Sequence, residues 1–276
     1  MERVTKTRTR NSLRVAVVAL VVSLGAAAWW TARDLVLSQG LNEGRTVADF
    51  AESVGRWASQ YGGLHVRTEG VQTRMPGFFL TRATYAVNGG DAGVLQGSRI
   101  DAGSDERGAL ARVEAYHWKN PALIQREVAD AIAESGGRAR YRLTAASVLN
   151  PSNAPNPMEQ EALDVLKTGA VKEYWKVQGS ELFYARPVVA KASCLKCHDS
   201  PQKAPEYLLR NAQFNGGGGF GYVEGKPAGL ISVTLPLPSP WMAARRGLST
   251  EAWAALLVAS GCLAWVAWGA TQRRRS

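Results

Sequence analysis

The sequence predicts an α+β domain, an antiparallel sheet with a long N-terminal helix, flanked by two transmembrane helices. Three features lead to this reading: two uncharged apolar runs near the ends, basic clusters beside them, and helix-period segments that give way to strand-like segments in hairpin order. At 276 residues the chain has room for one domain, or two small ones, with a sizeable core. Its mean hydropathy of −0.16 alone would suggest a soluble protein, because the average conceals the end runs.

The first run, VAVVALVVSLGAAAWWTA from Val15 to Ala32, contains no charge. At ~1.5 Å per residue it reaches roughly 27 Å, about the thickness of a bilayer's hydrocarbon core. The second, AWAALLVASGCLAWVAWGA from Ala252 to Ala270, is also uncharged. Arg3, Lys6, Arg8, Arg10 and Arg14 precede the first run, and Arg273, Arg274 and Arg275 follow the second. Basic clusters beside short tails stay in the cytoplasm, so both ends are expected inside and the intervening chain outside. A cleaved signal sequence is the alternative for the first run, but WWTARD is a poor small-residue cleavage site. Trp29, Trp30, Trp265 and Trp268 suit an interfacial aromatic belt. The expected organisation is a basic tail at 1–14, a membrane helix at 15–32, an external domain at 33–250, a second membrane helix at 251–270, and a basic tail at 271–276.

The two tails carry most of the net charge of +10, so the high pI reports membrane orientation. No basic stripe with interleaved aromatics argues for nucleic acid.

After the first run, Val47, Phe50, Val54, Trp57, Ala58 and Tyr61 recur at three- and four-residue steps, predicting a helix that continues to a stop at Gly62-Gly63. Residues 67–110 are rich in Gly, Arg and Asp, and GFFLTRATYAV is their clearest strand. NPALIQREVADAIAESGG predicts a second helix, with Leu123, Ile124, Val128, Ala131 and Ile132 on one face and Gly136 at its end. YRLTAASVLNP reads as strand, and Met158 to Lys167 as a short helix. KEYWKV and LFYARPVVA flank Gln178-Gly179-Ser180 as a hairpin would, and GLISVTLPL is a final apolar strand. NGGGGFG, Asn215 to Gly221, reads as a mobile loop.

The chemistry concentrates in KASCLKCHDSP, residues 191–201. Cys194-Leu195-Lys196-Cys197-His198 has the Cys-x-x-Cys-His form in which two thiols add to the vinyl groups of one haem and the adjacent imidazole binds its iron. A zinc site would need more ligands, and the third cysteine, Cys262, lies inside the second apolar run. A thioredoxin-type disulfide belongs in a βαβ setting, which hairpin-like surroundings do not provide. A plain Cys194–Cys197 disulfide leaves His198 unexplained. One covalent haem c is therefore expected, with Cys194 and Cys197 as thioethers and His198 as proximal iron ligand. Covalent haem of this type is attached outside the bacterial inner membrane, which agrees with a periplasmic central domain and two cytoplasmic termini.

NPSNAPNPMEQEAL, YARPVV, CLKCH and GLISVTLP follow one another in an order that resembles the PAS-like single-haem c-type domains, some of which stand outside the membrane in histidine kinases and chemoreceptors. The resemblance covers roughly residues 33–240, with GGLHV and KNPAL as weaker echoes. It implies a PAS-like antiparallel sheet with a long N-terminal helix and a haem held at CLKCH. Members of that family that use a distal cysteine have no counterpart here, since no third cysteine lies outside the apolar runs.

The sixth iron ligand stays open. His65 and His117 are the distal candidates, Met75 and Met158 are thioether candidates, and an open site is the remaining alternative. Two imidazoles favour low-potential electron transfer, a His/Met pair raises the potential, and an open site admits a small gas. Arg186 and Lys196 are candidates for neutralising haem propionates, with a solvated charge as the plainer reading. Glu159 and Glu161 read as favourable charges near a helix N-terminus. With no Ser/His/Asp set and no phosphate loop, an enzyme is not expected. The six residues TQRRRS after the second run leave no room for a signalling output, so the expectation is a haem-bearing electron-transfer or accessory subunit of a membrane complex. A redox or gas sensor acting through a membrane-protein partner is the alternative.

Overall fold

The structure is a computed structural model, described for residues 2–68, 82–86, 93–96, 114–204 and 218–272. It divides into two compact units: Leu41–Pro236, and the flanking segments up to Gly40 and from Leu237.

Helix α1 (Glu2–Gln60) ends at Gly62 and Gly63, where φ is 68° and 102°. Within the larger unit its buried face is a stripe of small residues, Gly44, Ala48, Ala51, Gly55 and Ala58, at three- and four-residue steps. They bring the helix close to its neighbours: a Cβ on Gly44 would stand 3.1 Å from the Cβ of Tyr184, and one on Gly55 2.3 Å from Nε2 of Gln125. The helical period read from the sequence is present, but its face differs. Phe50, Trp57 and Tyr61 are exposed, because packing here favours close approach over large side chains.

Strands β1 (Leu64–Thr68), β2 (Arg82–Ala86), β3 (Gly93–Gln96) and β4 (Glu114–Lys119) form an antiparallel sheet in the order β1-β4-β2-β3. Only Arg82–Ala86 of the expected strand GFFLTRATYAV is described as strand, and its other residues lie outside the described ones.

The second sheet is also antiparallel. It joins β5 (Arg140–Thr144), β6 (Tyr174–Gln178), β7 (Glu181–Val189) and β8 (Pro227–Pro236) in the order β5-β8-β7-β6. Leu182 to Ala185 and Leu230 to Val233 are continuously buried, so the two central strands are covered on both faces. On one face, Ala162, Leu163 and Leu166 of α3 (Pro157–Leu166) meet Phe183, Ala185 and Leu230, with Met158 and Tyr174 packed at the edge. On the other, Tyr184 backs onto Gly44 of α1. Each fully buried leucine contributes about 2 kcal/mol by its removal from water.

Helix α2 (Pro121–Glu134) starts where Asn120 caps the Leu123 N–H and proline takes the first turn. It buries Leu123, Ile124 and Gln125. Tyr141 of β5 donates its hydroxyl to the Gln125 carbonyl at 2.7 Å, and the Gln125 side chain donates to the Ala51 carbonyl of α1 at 2.7 Å. These bonds satisfy buried polar groups that would otherwise oppose packing. The expected strand YRLTAASVLNP ends at Thr144, and residues 145–150 bend away from the sheet. That bend receives part of the functional site.

The flanking unit is helical, comprising α1 up to Gly40, α5 (Pro240–Gly247) and α6 (Thr250–Gln272). From Val18 onward α1 carries a segment with mean hydropathy 1.3, long and apolar enough to cross a membrane. Its Val18, Val22, Trp29 and Trp30 are exposed, as are Leu256, Leu257 and Val258 of α6. Arg33 lies 5.2 Å over the Trp30 ring, and Trp241 meets Trp253 edge-on at 6.0 Å.

Candidate functional site

Strand β7 runs out at Val189, and the chain turns at once into α4 (Ala192–His198), the helix that carries the Cys-x-x-Cys-His segment. Two paired backbone bonds frame the entry: Ala190 N–H donates to the Lys226 carbonyl, and Gly225 N–H to the Ala190 carbonyl, both at 2.9 Å. Helical spacing then places Cys194 and Cys197 three residues apart on one face, with His198 directly after them. Both cysteines are half-buried and are not joined in a disulfide. Cys194 Sγ lies 3.5 Å from the Lys191 N–H, within reach of that donor.

His198 is the most constrained member. Its Nδ1 lies 2.6 Å from the Gly219 carbonyl oxygen. A carbonyl only accepts, so Nδ1 carries the proton and Nε2 keeps its lone pair. Among the described residues Nε2 has no hydrogen-bond partner. The ring stacks on Tyr222, with centroids 4.6 Å apart and planes 8° from parallel. Burial lowers the His198 pKa against a smaller opposing effect from the Gly219 carbonyl, which favours the neutral imidazole. Tyr222 is raised, first by burial and then by the nearby Cys194.

The segment facing α4 is the glycine run read as a mobile loop. Its residues Asn215–Gly217 lie outside the described ones, and Gly219, Gly221 and Tyr222 are held by hydrogen bonds. Gly219 N–H donates to the Ser147 hydroxyl at 2.7 Å, Gly221 N–H to the Asp199 carbonyl at 2.8 Å, and Tyr222 N–H to the His198 carbonyl at 3.0 Å. The last two satisfy carbonyls at the end of α4 that have no partner within the helix. Gly219 has φ of 79°, and a Cβ there would fall 2.7 Å from the Leu149 nitrogen, so only glycine fits. A glycine run gave no signal for this role. The surrounding bend at residues 145–150 makes it necessary, because the two backbones touch.

His65 lies on β1 opposite Trp118, and His117 on β4 opposite Val66. They sit on adjacent strands, one step out of register, in the first sheet, and their side chains lie outside the described residues. Met75 also lies outside them. Met158 packs against the second sheet's core cluster, the setting of a core side chain.

The charged candidates resolve differently. Lys196 is exposed on α4. Arg186 forms ion pairs with Asp49 and with Glu52 of α1, the latter at 2.7 Å, and its Nε is buried with no partner among the described residues. Its guanidinium is thus committed to α1 and is not left solvated. Glu159 is 1% exposed and does more than favour a helix terminus. It accepts from the Asn156 N–H at 2.8 Å, Arg142 Nη1 at 2.9 Å and the Ser232 hydroxyl at 2.6 Å. Glu161 is exposed and pairs with Tyr174 and Lys176.

The donor set suits a covalently held haem: two thiols on one helical face, followed by a neutral imidazole whose Nδ1 is fixed and whose Nε2 retains its lone pair. Among curated proteins, none matches the chain. A solved structure described as that of the cyanobacterial haem protein Tll0287 is similar at 24% identity, over 43% of this chain and 73% of that one, with a TM-score of 0.39. A family model named for that protein matches residues 34–236, most of the chain, and on that match this protein belongs to the Tll0287-like family.

Proposed function

We propose that this protein is a membrane-anchored, periplasmic haem protein, with one haem c held through Cys194 and Cys197 and its iron bound by His198. The observation that carries the reading is the His198 tautomer: Nδ1–H is committed to the Gly219 carbonyl, so Nε2 is the ligating nitrogen, beside two thiols on the same helix. Membership of a family whose namesake is a haem protein supports it. When bound, the haem supplies a one-electron iron centre. The chain supplies two thioether anchors, an imidazole held neutral and fixed in orientation, and Tyr222 covering one face of that imidazole.

The role that suits these parts is electron transfer, or an accessory position in a membrane complex with a protein partner, and not enzymatic catalysis or nucleic-acid binding. The apolar segment of α1 from Val18 and the exposed apolar residues Leu256, Leu257 and Val258 of α6 support anchoring in a bacterial inner membrane. The basic residues outside them support two cytoplasmic termini. A PAS-like role as a redox or gas sensor is the second reading. It is favoured by Arg186, which ties β7, the strand leading into α4, to Asp49 and Glu52 of α1.

The test is expression of the full chain with haem-attachment machinery, followed by mass and optical spectra. The wild type is expected to gain the mass of one haem, and a Cys194→Ser/Cys197→Ser double variant to lose it completely. A wild type without covalent haem refutes the reading.

A further inference from the structure

Resting on that reading, we propose that Ser147, Gly219 and Tyr222 form a positioning set for His198. Ser147 fixes the Gly219 backbone, the Gly219 carbonyl fixes the imidazole tautomer, and Tyr222 fixes the ring plane.

The geometry is a relay through two peptide planes. The N–H and the carbonyl of Gly219 belong to the planes on either side of its α-carbon. Ser147 Oγ accepts the first at 2.7 Å, and the second accepts Nδ1–H of His198 at 2.6 Å. The two planes meet at the Gly219 α-carbon, where φ is 79°, so anchoring the first restricts the second, and a serine 51 positions before the histidine steers its hydrogen bond. The neighbouring glycine is equally confined, since a Cβ on Gly218 would fall 2.8 Å from Ser147 Oγ and 2.9 Å from the Val148 carbonyl oxygen. On the far side, the bonds from Gly221 and Tyr222 to the carbonyls of Asp199 and His198 hold the segment to the end of α4. His198 is therefore held at its ring nitrogen, at its ring face and at its own carbonyl.

This arrangement has an electronic consequence. A short bond from Nδ1–H to a carbonyl shifts electron density toward Nε2 and makes it a stronger donor. A stronger donor stabilises ferric over ferrous iron and holds the potential down. Ser147 never touches the iron, so it acts through His198 alone.

The experiment compares wild type, Ser147→Ala and Ser147→Thr as full chains in detergent. Ser147 is exposed, so its truncation removes little packing. Two quantities are read: the midpoint potential of the haem, and the nitrogen and proton resonances of the His198 ring. Ser147→Ala is expected to titrate at a more positive potential, with a faster-exchanging Nδ1 proton, and Ser147→Thr to restore both toward wild type. Wild-type values of both in Ser147→Ala overturn the proposal. Should that variant fail to fold, the wild type alone decides: a protected Nδ1–H tautomer supports the positioning set, and an Nε2–H tautomer in the haem-free chain overturns it. A wild type that never acquires haem refutes the attachment reading, and the tautomer of its haem-free chain still decides the positioning claim.

Discussion

Glu159 and His198 are both polar groups set into the packed domain, and they are finished in opposite ways. Glu159 accepts a backbone N–H, a guanidinium and a hydroxyl. His198 has one nitrogen held by the Gly219 carbonyl, while the other has no partner among the described residues. Full satisfaction marks a group that stabilises a fold, because a buried charge without partners costs several kcal/mol. A lone pair left over on an imidazole whose helix also carries two thiols suits a group prepared for a ligand. The difference separates structure from function more sharply than residue type does, since carboxylates and imidazoles are equally familiar in active sites.

The largest expected effect that sharpens this contrast falls on Glu159. Glu159→Ala strands the Asn156 N–H and the Ser232 hydroxyl and leaves Arg142 without its buried partner, so it should lower unfolding free energy by about 3 kcal/mol in urea titrations. The haem spectrum of the fraction that stays folded should be unchanged. An altered iron spectrum at unchanged stability would break the contrast.

A smaller effect belongs to Glu173. It accepts from Arg45 at 2.6 Å and from the Tyr184 hydroxyl at 3.0 Å, and Arg45 holds its carboxyl below the ordinary value of 4.5. A depressed folded-state pKa gives stability that is present above the unfolded value and lost as pH falls through the folded one. Below about pH 4.5 the wild type should therefore lose stability more steeply than Glu173→Gln. Equal acid slopes would show that this ion pair contributes nothing measurable. Tyr184, whose pKa is pushed up to about 12 by burial and by Glu173, keeps its proton throughout that range.

The second sheet was readable because its segments carry their own signals. Tyr174–Gln178 and Glu181–Val189 flank a glycine turn, and Pro227–Pro236 is mostly apolar. Helices α2 and α3 each begin with asparagine followed by proline, a local instruction that needs no tertiary context. The proposed haem residues Cys194, Cys197 and His198 stand out in the sequence for the same reason, their spacing being local. The buried face of α1 was not, because hydrophobic periodicity points to Phe50 and Trp57 while packing uses Gly44, Ala48 and Ala51. Ser147, Gly219 and Tyr222 were invisible because their role depends on contacts between segments far apart in sequence. The sheet holding His65 and His117 left only a single readable strand in a stretch dense with Gly, Arg and Asp.

The measurement that tests the central claim most directly is electron paramagnetic resonance of the oxidised protein with nitrogen-15 histidine, in wild type and in His198→Ala. The wild type should show histidine nitrogen coupled to the iron. His198→Ala should keep its covalent haem, lose that histidine's contribution and change the iron's spin state or axial field. Identical spectra from the two proteins, with covalent haem present in both, would contradict the assignment of His198 as the iron ligand.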